Sequence, residues 1–140
     1  MAGAMPLHMI KLAVGAATVE EMLAWRATRF APGAPWVMTT RMTPKRADEL
    51  LDGGSLYRVF KGVILSRQKI LAIATEGEGR EARCAVTLDE TCVRVVPTPR
   101  RAFQGWRYLE TKDAPADLED AALGDVPEDL ARALREAGAW

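Results

Sequence analysis

The chain has 140 residues, enough for one domain that buries roughly two thirds of its unfolded surface. With 49% hydrophobic and 27% charged residues it has the balance of a globular protein, which argues against a disordered or membrane-spanning chain. Nineteen basic residues cancel nineteen acidic ones, so net charge alone predicts no strong pull toward nucleic acid, membrane or acidic substrate.

In chain order, residues 1–4 precede a second Met-Pro and are given no structural role. Residues 7–14 (LHMIKLAV) alternate apolar and polar side chains up to Gly15 and read as a first strand. Thr18 and Glu21 then have the spacing of a capping box, which opens a helix. Val19, Met22, Leu23, Arg26, Ala27 and Phe30 recur at helical steps as its inner face, and Pro32, Gly33 and Pro35 end it.

Residues 36–42 (WVMTTRM) form a second strand by composition. A second helix is expected with Thr43 as cap, Pro44 at the first helical position and Gly53-Gly54 as the stop. Residues 56–74 are apolar with basic residues interleaved, and read as two strands, or one long bent strand, about Gly62. After a turn at 76–79 come strands 83–88 and 92–96 in an antiparallel meander. Their alternation puts Cys84, Val86 and Leu88 on the core face, and in a hairpin Cys84 and Cys92 would face each other. Residues 97–101 are expected to break the sheet, 103–109 (FQGWRYL) to return as a strand, and 115–123 and 127–137 to form short acidic helices.

These elements predict an α+β fold: a mainly antiparallel sheet of at least five strands, or a pseudo-barrel, with two packed helices and a short helical tail. Residues 5–110 are expected to form a single domain and 111–140 an acidic C-terminal extension of it. The absence of a signal peptide or an apolar run long enough to span a bilayer predicts a cytoplasmic protein, monomeric or homodimeric, with no membrane partner.

Charge is unevenly spread. Between Arg41 and Arg107 there are thirteen Lys or Arg against eight Asp or Glu, whereas residues 110–129 hold eight acids and one lysine. The basic stretch contains Arg41, Lys61, Arg67, Gln68 and Lys69, followed by Arg100, Arg101, Gln104, Trp106, Arg107 and Tyr108. Cations for phosphates mixed with planar groups for stacking suit RNA or single-stranded nucleic acid. The same residues also suit a charged sheet edge with Phe103, Trp106 and Tyr108 packed inside, and the sequence leaves both readings open. The alternatives are a non-enzymatic protein-interaction module and an enzyme acting on a nucleotide or small anion.

Catalytic signals are weak. His8 lacks a paired nucleophile motif and reads as a structural histidine. Cys84 and Cys92 lack zinc-ligand spacing and are expected to be free thiols, and no glycine pattern fits a phosphate-cradling loop. No catalytic residue, metal or cofactor is therefore assigned.

The runs MPLHMIKLAVG, RMTPKRADELLDGGSLY, KGVILSRQ and RRAFQGWRYLE resemble those of a family of short bacterial proteins, chiefly alphaproteobacterial, known as domain of unknown function 1489. The resemblance spans residues 5–110 and implies no activity, ligand or catalytic residue. In layout the chain is also similar to PUA-like and ASCH-like pseudo-barrels, a likeness that implies RNA or modified bases as ligands.

Overall fold

The computed structural model describes residues 6–118 as a seven-stranded sheet with two helices, which is the α+β class expected. In chain order these are β1 (Leu7–Leu12), α1 (Val19–Arg29), β2 (Trp36–Thr40), α2 (Ala47–Leu51), β3 (Ser55–Phe60), β4 (Val63–Glu76), β5 (Arg83–Leu88), β6 (Val93–Pro99) and β7 (Trp106–Glu110). The strands run β2-β5-β4-β3-β1-β7, with β6 paired to β4. The sheet is open, with β2 and β7 at its two ends, and does not close into the expected pseudo-barrel. Five of the six strand pairings are antiparallel, but β1 and β3 run parallel.

The centre is the β3–β4 hairpin, turned by Lys61 (φ 48°) and Gly62 (φ 83°). Two successive positive φ angles match the twist of a two-residue hairpin, so Gly62 ends a turn between two strands. The 14-residue β4 serves two neighbours beyond β3: Val63–Arg67 pairs with β6 and Ile70–Glu76 with β5. This corrects the expected meander. Cys84 and Cys92 are both free, and β5 does not pair with β6, so they are not cross-strand partners. Nor does the sheet break at residue 97, because β6 runs on through Pro97 to Pro99.

Alternation sorts the strand side chains between two cores. One, under the helices, gathers Met9, Leu56, Phe60, Ile70, Val86 and Leu88; the other gathers Ile10, Tyr57, Val59, Ile64, Val95 and Leu109. Burying each large apolar side chain contributes roughly 1.5–3 kcal/mol before chain entropy is charged against it.

Helix α1 begins as expected: Thr18 Oγ1 accepts from Glu21 N at 3.1 Å, while Glu21 Oε2 accepts from Ala17 N at 2.8 Å. Its inner face is narrower than the periodicity implied. Val19 and Met22 are buried, but Leu23, Trp25 and Phe30 are exposed. Helix α2 is only five residues long, and Thr43 does not cap it. The Thr43 hydroxyl hydrogen-bonds to the Thr75 hydroxyl instead, and the Tyr108 hydroxyl accepts from Arg46 N at the helix start.

Asp117 forms a bridge with Val95, so the chain at 115–118 is not helical. The rest of that expected helix, and all of the one at 127–137, lie outside the described residues. Among the described residues no helix is long and apolar enough to cross a membrane.

Candidate functional site: a cavity with a buried arginine

Strand parity places Leu56, Arg58 and Phe60 on one face of β3, and Leu7, Met9 and Lys11 on one face of β1. Both rows face the helix-side core, so two cations stand where the pattern calls for apolar side chains. Around them the end of β1, the following loop, α1 and β2 leave a cavity of about 400 Å³. Met22, Trp25, Trp36 and Met38 form its apolar walls, and Lys11 and Arg58 supply its charges.

Arg58 is 9% exposed. Its Nη1 donates to Gln68 Oε1 and approaches Met22 Sδ at 3.3 Å, while Gln68 Nε2 donates to Asp89 O at 2.9 Å. Both acceptors are neutral, so they orient the guanidinium without cancelling its charge. No carboxylate among the described residues pairs with it, and none lines the cavity. The Trp36 ring partly offsets the burial: the guanidinium carbons of Arg58 and Arg26 lie 5.2 Å and 4.3 Å from its centroid. Loss of hydration pushes the Arg58 pKa down to about 10, opposed by the charge of an ionised Cys92 and aided to a lesser extent by the like charge of Arg26, which leaves Arg58 cationic at neutral pH.

The basic and aromatic residues singled out in the sequence do not all share one face of the sheet. Gln68 is buried beside Arg58, which corrects its expected place on the surface. Arg67 is half-buried and paired with Asp117 through two contacts of 2.6 Å, with a further bond to Ser55 Oγ at 3.1 Å. Along β7, alternation sends Trp106 and Tyr108 to one face and Arg107 to the other. Trp106 and Tyr108 meet edge to face at 4.9 Å and pack against the helix-side core; Trp106 Nε1 donates to Met42 O at 3.2 Å. Arg100 and Arg107 both lie over Phe103, at 5.6 and 5.5 Å, by the opposite core. Arg41, Lys61, Lys69, Arg101 and Gln104 are exposed, and the Lys61-Gly62 turn lies against the Arg100-Arg101 segment, Arg100 N donating to Gly62 O at 2.8 Å.

His8 is buried and structural. Its Nδ1 accepts from Ser55 N at 3.0 Å, its Nε2 lies 3.4 Å from Thr111 Oγ1, and its ring meets Tyr57 edge to face. Burial, and then the charge of Arg67, hold its pKa below 6.5, so it stays neutral at physiological pH.

Lys11, Trp25, Trp36 and Arg58 were not among the residues that sequence reasoning singled out. The available signal was a cation at a core-parity position in two strands, Lys11 in LHMIKL and Arg58 in SLYRVF. A family profile described as "Protein of unknown function (DUF1489)" matches residues 9–140. Neither a curated protein nor a solved structure matches the chain.

Proposed function

The chain belongs to the DUF1489 family, and we propose that it is a binding domain for a small organic anion, held in the cavity between α1 and the sheet. The observation that carries this reading is Arg58, a buried cation bordering a cavity and held by neutral acceptors. An unneutralised charge out of water is costly, and a bound anionic head group would offset that cost. A largely apolar cavity of a few hundred Å³ with one oriented polar anchor has the make-up of a small-molecule site.

Binding of single-stranded RNA draws support from the exposed Arg41, Arg101 and Arg107. Its stacking residues, however, are engaged elsewhere: Trp106 with Met42 and Tyr108 with Arg46. The cavity therefore offers the better-formed site.

The test is a thermal-shift titration with benzoate, phenyl phosphate and the neutral benzyl alcohol. At least one anion is expected to raise the melting temperature saturably where benzyl alcohol does not, and Arg58→Met should abolish that rise. If neither anion shifts the melt, or the alcohol shifts it equally, the proposal is wrong.

A further inference from the structure

Arg58 is not the only cation bordering the cavity. In the parallel β1–β3 pairing Lys11 is its register partner, and both residues line the space. Register neighbours on adjacent strands sit about 5 Å apart and extend to the same side of the sheet, so two like charges here repel each other. Lys11 forms no ion pair among the described residues, and the cavity lining contains no acid. A single carboxylate on Arg58 would leave the Lys11 charge uncompensated.

Building on the organic-anion reading, we propose that the cavity selects a phosphate monoester with a flat apolar body, its dianionic head shared between Lys11 and Arg58. A phosphate monoester carries between one and a half and two negative charges at neutral pH, roughly, and three acceptor oxygens. That number suits a fork from Arg58 and a point charge from Lys11 at once. Trp36 and Trp25 border the space that the body would fill, one buried and one half-exposed, so a planar group finds aromatic walls there. The 400 Å³ available has room for a single ring system with its head group.

Isothermal titration with phenyl phosphate, benzoate and inorganic phosphate separates the possibilities. Phenyl phosphate is expected to bind the wild-type protein about tenfold or more tightly than either of the others, since each of them lacks one half of the recognition. Lys11→Met should weaken phenyl phosphate about tenfold while changing benzoate by less than about twofold, and Lys11→Arg should restore the preference. Lys11 is partly exposed and faces a like charge, so Lys11→Met should melt no lower than the wild type and Lys11→Arg should overlay it. Benzoate binding as tightly as phenyl phosphate would overturn the dianion proposal and leave the organic-anion reading standing. Inorganic phosphate matching phenyl phosphate would overturn the requirement for an apolar body. Binding of neither aromatic anion would remove both readings together.

Discussion

Arg58 and His8 are both polar residues in the interior, and their neighbours give them opposite fates. Gln68 and Met22 leave the charge on Arg58, whereas Ser55 N–H donates to His8 Nδ1 and so requires that nitrogen to be unprotonated. Thr111 Oγ1 donates to Pro6 O and stands ready to accept from His8 Nε2–H, which completes a neutral tautomer. Protonation would place a second cation near Arg67 and break the bond from Ser55. A histidine whose folded pKa is depressed contributes stability that is complete above its unfolded value near 6.5 and is lost as pH falls toward the folded value. Glu20, Glu49 and Asp117 are held below their ordinary pKa values by hydrogen bonds from Arg94, Arg46 and Arg67, so they titrate at lower pH. Urea midpoints should therefore fall between about pH 6.5 and about pH 5 in the wild type. They should stay nearly flat over that window in His8→Asn, whose side-chain oxygen can still accept from Ser55 N. Parallel pH profiles for the two proteins would contradict this account of His8. In the sequence, the neutrality of His8 was legible only as the lack of a catalytic partner, because the groups that enforce it lie 47 and 103 residues away along the chain.

The elements bounded by local chemistry could be read from the sequence, and those completed by distant partners could not. Helix α1 starts at its capping box and β5 occupies the expected residues 83–88, since each depends on neighbours within a few positions. Helix α2 was read too long because Thr43 and Pro44 look like a helix start, yet the Thr43 hydroxyl is engaged by Thr75 and a free amide of the helix start is met by Tyr108. Strand β6 was read too short because prolines disfavour a sheet; it tolerates Pro97 and Pro99 because, beyond β4, its other edge bonds residues 116–118 only at Arg94 and Val96, short of both prolines. The Gly53-Gly54 stop was legible, but its cause is divided. Gly53 supplies the left-handed turn (φ 92°), whereas Gly54 is needed for space, since a β-carbon there would sit 2.2 Å from Leu7 O and 2.4 Å from Leu50 O. Both oxygens belong to backbone that cannot move without shifting β1 or α2. Gly54→Ala should therefore cost about 3 kcal/mol of stability. Gly33→Ala is the contrast: φ is +82° with nothing within 4 Å, so only backbone strain of about 1–2 kcal/mol is expected. Urea melts that rank the two variants in the opposite order would contradict the crowding argument at Gly54.

At the scale of the whole molecule, the fold class was legible and the strand order was not. Alternating patterns say which faces are apolar but not which strands meet, so the parallel β1–β3 pairing, whose partners lie 47 positions apart, and with it the Lys11–Arg58 neighbourhood, could not be read from spacing. That pairing also ties the two cores together. Met9 enters one and the next residue, Ile10, enters the other, and in β3 Leu56 and Tyr57 divide the same way. Neither core can loosen while the strands they share hold their register, so the described body should unfold in one cooperative step whichever face is weakened. Leu88→Ala on the helix-side core and Ile10→Ala on the opposite core should each cost about 2–5 kcal/mol. With Trp140 replaced by Phe throughout, tryptophan fluorescence reports on the helix side, where Trp36 and Trp106 pack, and far-ultraviolet circular dichroism reports on the sheet as a whole. In urea the two signals should trace coincident transitions in the wild type and in both variants, with the midpoint lowered and the slope unchanged. A fluorescence transition that leaves the dichroism behind in Leu88→Ala, or a dichroism loss that precedes fluorescence in Ile10→Ala, would mean that the two faces melt separately and that the shared strands do not couple them.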